Sequence, residues 1–170
     1  MLAEHFETVH TFEPDRANLA CMHENIHVGV HMHPFALGEA TGTIALERNP
    51  ANCGAHYVAG PGDIPMRTID SLGLDACDLI CLDVEGYELQ ALKGAVETIR
   101  RYKPLIVVED RGLSVRYGLP MGAAADWLVD TFDYGVVGLH EYDLILGVAM
   151  LDGAEAAKLR AQEVLTRLPP

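Results

Sequence analysis

The chain has 170 residues, with 12 Lys and Arg against 25 Asp and Glu, for a formal net charge of −13. That length suffices for one domain with a proper core, and 49% hydrophobic residues exclude a disordered chain. The negative field repels nucleic acid and anionic membrane surfaces alike, and no apolar run reaches the roughly 18 residues that cross a bilayer.

The first residues, Met1 to Glu7, lack the cationic start of a signal peptide. A cytoplasmic setting is expected, with Cys21, Cys53, Cys77 and Cys81 as reduced core thiols. In chain order, Val9 to Phe12 reads as a short strand. Glu13-Pro14-Asp15 then opens a helix with proline at a tolerated first-turn position. Leu19, Met22 and Ile26 share a face of that helix, which stops near Asn25. Val28 to Met32 is a second strand and Ala36-Leu37-Gly38 a turn. Thr43 to Leu46 and His56 to Val58 form a strand pair, and Ile69 to Leu72 a short connector.

Asp78 to Leu82 reads as a buried strand. One helix then runs from about Tyr87 to Tyr102, with Leu89, Leu92, Val96 and Ile99 at helical spacing. Arg100, Arg101 and Lys103 suit its carboxyl end and Pro104 stops it. Leu105 to Val108 is an apolar strand ending in Glu109-Asp110. A helix over Ala123 to Phe132, with Trp127 inward, and a closing strand pair follow. The pair comprises Gly135 to Leu139 and Tyr142 to Val148, with His140-Glu141 at its tip. An amphipathic helix over Ala154 to Leu168 ends the sequence. No repeat or linker divides it, so residues 1–170 read as one domain. Alternating strands and helices predict an α/β fold with a mostly parallel, doubly wound sheet and an antiparallel closing strand.

The chemistry concentrates after strand Asp78 to Leu82, in Asp83-Val84-Glu85-Gly86-Tyr87-Glu88. In an α/β sheet ligands sit outside the carboxyl ends of strands, and clustered carboxylates raise one another's pKa toward the range of a general base. Asp83 and Glu85 are catalytic candidates, and Glu109 ends a neighbouring strand on the same edge. Glu85 reads equally as a cap of the following helix, Glu109 as a support for the Asp83 loop, and Glu88 as a solvated residue. Glu13 reads as a ligand-binding acid or as a helix-start acid favoured by the dipole. His23, His27, His31 and His33 lack cysteine or carboxylate partners at ligand spacing, and Cys77-x-x-x-Cys81 has no partner pair, so no metal site is expected.

Four segments resemble, in order, the FkbM family of S-adenosylmethionine-dependent methyltransferases. They are Thr11-Phe12-Glu13-Pro14 with Asn18, Pro34 to Gly38, Ile69 to Leu72 together with Leu82 to Glu88, and Pro104 to Glu109. The resemblance implies a Rossmann-like fold. It places Glu13 and Pro14 at the cofactor ribose, Ala36 and Leu37 against the adenine, and Asp83 beside the sulfonium. It implies S-adenosylmethionine as cofactor and O-methylation of a small-molecule or sugar hydroxyl. Family members also carry an earlier strand and a glycine-bearing loop of Asp-x-Gly-x-Asn-x-Gly type, for which the twelve residues before Glu13 leave no room. The expected fold is therefore N-terminally truncated, with two inner sheet edges unpaired, which favours self-association into a homo-oligomer. The alternative to an enzyme is a non-catalytic remnant or binding module on the same scaffold.

Overall fold

The computed structural model of the protein describes residues 2–26 and 28–148. His27 and the helix expected over Ala154 to Leu168 lie outside the described residues. Strand β1 (Val9–Phe12), helix α1 (Arg16–His23) and strand β2 (Val30–His33) form the first unit, with β1 and β2 parallel. Asp15 caps α1 by accepting hydrogen bonds from the Ala17 and Asn18 amides; Pro14 precedes the cap and so lies outside the helix. The Asn25 side chain donates to the Cys21 carbonyl at 2.9 Å, closing the last turn. Ile26 therefore leaves the helix and is exposed.

Strands β3 (Ala36–Leu37), β4 (Gly42–Glu47) and β5 (Tyr57–Arg67) make a second sheet in the order β3-β5-β4. The turn expected at Ala36-Leu37 is a two-residue strand, because Met66 and Arg67 offer it a parallel edge. The second strand of the hairpin runs far beyond His56 to Val58, despite Pro61 and Pro65. Register shifts at Ala45 absorb the irregularity. A Cβ at Gly62 would fall 2.5 Å from the Ile44 carbonyl oxygen, so only glycine fits that crossing.

The third sheet holds β6 (Leu79–Leu82), β7 (Leu105–Glu109), β8 (Tyr134–His140) and β9 (Asp143–Val148), in the order β6-β7-β9-β8. β6 and β7 are parallel and the other pairs antiparallel. Helices α2 (Glu88–Lys93), α3 (Val96–Tyr102) and α4 (Ala123–Phe132) complete the described chain. Leu92, Ile99 and Leu128 from the helices meet Ile80, Leu82, Ile106, Val108 and Leu146 from the sheet in the main core. Each such fully buried side chain stabilises the fold by about 1.5–3 kcal/mol. Trp127 packs against this core, edge-on to Phe132 at 5.2 Å.

The chain thus has the α/β, Rossmann-like architecture expected of it, with its parallel pairing divided among β1–β2, β3–β5 and β6–β7. Two expectations need correction. The cysteines are free but are not core thiols: Cys21, Cys53 and Cys81 are exposed and Cys77 is half-buried. Cys81 occupies the alternate position of β6, opposite the face that Ile80 and Leu82 bury. Among the described residues no helix is long and apolar enough to cross a membrane.

The helix expected from Tyr87 to Tyr102 is two helices, broken at Gly94-Ala95. Gly94 presses its backbone against the Gly38 carbonyl, where a Cβ would not fit, and its own carbonyl accepts the Asp70 amide at 2.9 Å. The Asp70 carboxylate then accepts from the Glu97 and Thr98 amides at 3.0 and 2.8 Å and from the Thr98 hydroxyl at 2.7 Å. The connector Ile69 to Leu72 is therefore the remote cap of α3. Asp70→Ala should cost about 1–2 kcal/mol in urea denaturation, whereas Asp75→Ala, at an exposed position, should stay within about 0.5 kcal/mol.

Candidate active site

β6 ends at Leu82, and the next residues turn sharply: Glu85 has φ 56 and Gly86 φ 96. The turn is held from below by Glu88, which is 5% exposed. Its Oε1 accepts from the Val84 and Gly86 amides at 3.2 and 3.0 Å. Burial raises the Glu88 pKa, and these backbone donors oppose the rise. Glu88 is thus a buried scaffold acid, not the solvated residue expected. Glu85 caps no helix; the N-cap of α2 is Tyr87 and makes no side-chain cap bond.

Gly86 admits a second element. A Cβ there would lie 2.6 Å from the Leu113 carbonyl carbon and oxygen, so the chain after β7 rests directly on the turn. That segment is tied down by Asp110, whose two carboxylate oxygens accept from the Gly112 and Gly122 amides at 3.0 and 2.6 Å. Tyr117 stacks edge-on against Tyr87 at 5.1 Å and donates its hydroxyl to the Val58 carbonyl at 3.0 Å. The Asp83 turn, the loop after β7 and the start of β5 are thereby joined.

Asp83 and Glu109 leave adjacent parallel strands one residue beyond the paired Leu82 and Val108. The Asp83 carboxylate acts on Glu109 across these strand ends. Burial, then the Asp83 charge, pushes Glu109 up to about 7, against the opposing pull of Arg111, whose Nη2 lies 2.9 Å from Glu109 Oε1.

Glu13 follows β1. Its Oε1 accepts the Asp15 amide at 2.7 Å, and Asn18 Nδ2 reaches its Oε2 at 3.4 Å. Asn18 also donates to the Cys53 carbonyl at 3.0 Å, linking this corner to the hairpin. Asp15 beneath it is buried; its pKa is lowered chiefly by the hydrogen bond from Arg48 Nε at 2.7 Å.

A cavity of about 610 Å³ connects these places, within the range of small-molecule and cofactor sites. Glu13, Pro14, Ala36, Leu37, Asp83 and Glu85 all line it. Glu13 and Asp83 therefore open into one space. Ala36 and Leu37, buried at 6% and 7% exposure, give it an apolar wall. Glu109 is not among the lining residues and reaches the site through Asp83. His140 and Glu141 sit at an exposed hairpin tip away from the cavity.

Tyr87, His56 and Tyr57 also line the cavity, and sequence reasoning assigned none of them to the site. Tyr87 lies within the Asp83 to Glu88 run and was legible there. His56 and Tyr57 carried no sequence signal, because the β4–β5 hairpin delivers them. His56 Nδ1 is buried without a hydrogen-bond partner, 3.8 Å from Asp15 Oδ2. Among the described residues no group of three or more His, Cys, Asp or Glu is arranged to hold a metal ion. The rings of His10, His31 and His33 stack: His10 lies 5.1 Å from each of the other two, and its Nδ1 is 2.8 Å from His33 Nε2.

An apolar-walled, acid-rimmed cavity at the carboxyl ends of strands in an α/β domain defines a ligand-binding domain of the Rossmann-like class. The methyltransferase FkbM domain family matches residues 5–118, more than half of the chain, and the chain belongs to that family. A solved structure, the methyltransferase FkbM from Methylobacillus flagellatus KT, is similar at a TM-score of 0.56 and 26% identity. The match covers 83% of this chain and 36% of that one, so this chain spans little more than a third of its relative's length. No curated protein matches the chain.

Two outcomes follow from this geometry. Gly86→Ala forces a Cβ into the Leu113 backbone at a positive φ and should destabilise the protein by about 2 kcal/mol or more, read as a shifted urea midpoint. Glu109, raised from 4.5 to about 7, binds its proton more tightly in the folded chain than in the unfolded one. Its contribution is complete below the lower value and is lost as pH rises through the higher. Thermal unfolding should show stability falling across that window, and Glu109→Gln should flatten the fall.

Proposed function

We propose that this chain carries the cofactor and catalytic rim of an S-adenosylmethionine-dependent O-methyltransferase whose acceptor is a small-molecule or sugar hydroxyl. The observation that carries this reading is that Glu13 and Asp83, at the ends of two separate strands, open into the same cavity. The residues present fit a nucleoside ligand. The Asp15 amide and Asn18 orient the Glu13 carboxylate, leaving lone pairs for the two hydroxyls of a ribose. Pro14 flanks that position, and the Ala36–Leu37 wall suits the face of an adenine. When bound, S-adenosylmethionine supplies an activated methyl group on a positively charged sulfur.

Asp83 and Glu85 place negative charge beside that cation at low conformational cost, because Glu88 already fixes their loop. With that cofactor bound, Asp83 would accept the hydrogen bond of the acceptor hydroxyl and take up the proton that the hydroxyl gives up. Glu109 on the neighbouring strand, pushed up to about 7 by burial and then by the Asp83 charge, adds a group with proton affinity near neutral pH behind that rim. Most of the remaining work is alignment. The net charge of −13 favours a neutral or cationic acceptor over a phosphorylated one, and free thiols accord with a cytoplasmic setting.

A second reading, a non-catalytic binding module, is favoured by one observation: the cavity also runs between β1 and β6, which belong to separate sheets among the described residues. The two separate cleanly. On the enzyme reading, titration calorimetry with S-adenosylmethionine gives saturable heat, and Asp83→Asn retains that heat and the wild-type unfolding curve while losing at least about 100-fold in turnover. Heat with no turnover of any hydroxyl acceptor supports the binding module. Wild-type turnover in Asp83→Asn removes Asp83 from the reaction.

A further inference from the structure

The hairpin that meets the Glu13 corner carries a polar group that the function proposed above leaves unused. The Asn52 side chain accepts the Gly54 amide at 3.0 Å and shapes the turn Cys53–Ala55. Asn18, which also faces Glu13 Oε2, donates to the Cys53 carbonyl at 3.0 Å. The turn is thereby fastened to the corner, and His56 follows it directly into the cavity wall. The His56 side chain is 13% exposed. Of its two ring nitrogens only Nδ1 is buried without a hydrogen-bond partner. Nε2 is the nitrogen left open to the space that the ring lines.

Asp15 decides what Nε2 can do. Its carboxylate is buried and keeps its charge, because Arg48 and the Ala17 and Asn18 amides bond to it. Its Oδ2 stands 3.8 Å from His56 Nδ1, too far for a hydrogen bond but close enough to attract a proton to that nitrogen. A neutral imidazole carries one ring proton, so holding it on Nδ1 leaves a lone pair on Nε2. The cavity therefore presents a fixed hydrogen-bond acceptor on the hairpin side of the Glu13 corner. A ligand group that meets it has to be a donor.

Building on the nucleoside reading above, we propose that His56 is a specificity-determining residue for the base: its Nε2 accepts a hydrogen bond from the exocyclic amine of adenine and rejects a base with a carbonyl at that position. Glu13 is committed to the ribose, with its oxygens already oriented by the Asp15 amide and Asn18. The hairpin that carries His56 also lends Leu46 to the cavity that Ala36 and Leu37 wall, so a base there has apolar surroundings and one polar contact. In such a place two acceptors brought face to face cost more than one lost bond, because neither lone pair finds a donor. The discrimination comes from the His56 ring and its Asp15 neighbour, not from the net charge of the rim.

The test is titration calorimetry of the full chain at pH 8 with S-adenosylhomocysteine and with S-inosylhomocysteine, which carries a carbonyl in place of the amine. The wild-type chain should bind the adenosine compound at least about tenfold more tightly. His56→Leu should weaken that compound alone and bring the two within about threefold of each other. His56→Gln, whose amide both accepts and donates, should bind the inosine compound more tightly than the wild type does, and it carries the comparison if His56→Leu fails to fold. Equal binding of the two compounds by the wild-type chain overturns the proposal, and so does an unchanged preference in a folded His56 variant. In both cases saturable heat from the adenosine compound leaves the nucleoside reading standing. No heat from either compound at millimolar concentration overturns that reading and this proposal together.

Discussion

The geometry of this domain's site depends on one buried carboxylate. Glu88 accepts the amides of Val84 and Gly86 and so turns the chain sharply just beyond β6. An acid at 5% exposure is costly to keep unless its lone pairs are used, and two backbone donors use them. The turn it fixes sets the direction of Asp83, the positive φ of Glu85 and Gly86, and the surface on which Leu113 and Ser114 rest. Removing Glu88 would leave two amides without their acceptor beneath the Asp83 loop.

From that turn, position passes outward by contact. Gly86 touches the loop after β7, Asp110 holds that loop, and Tyr117 ties it to Val58 on β5. Asn18 ties Glu13 to the Cys53 carbonyl of the same hairpin. The β4–β5 hairpin is thus the strut between the two acids that rim the cavity. It compensates for the lack of hydrogen bonding between the β1–β2 ribbon and the β6 sheet.

The legible parts of this fold in the sequence were those coded by local pattern. Apolar runs at Leu79 to Leu82 and Leu105 to Val108 read as strands and are strands. The carboxylates that follow them read as a site rim, and Glu13, Asp83 and Glu85 do line one cavity. What was illegible depends on contacts distant in sequence. Glu88 looks solvated in a helical pattern until the turn before it folds back over it. The periodicity from Leu89 to Ile99 continues through Gly94, and only the approach of Gly38 and the cap from Asp70 reveal the break. Cys81 sits in an apolar strand yet is exposed, because alternation places it on the other face. His56 and Tyr57 enter the site through a hairpin whose length two prolines disguise.

The acid rim and the divided sheet have one physical consequence in common. Carboxylates couple their charges strongly only where water is excluded, and the Glu109 side chain is 11% exposed. Asp83, its partner, is exposed and stands at the open edge of β6. Burial first and the Asp83 charge second raise Glu109, so the end of one strand sets the proton affinity of the acid that ends its neighbour.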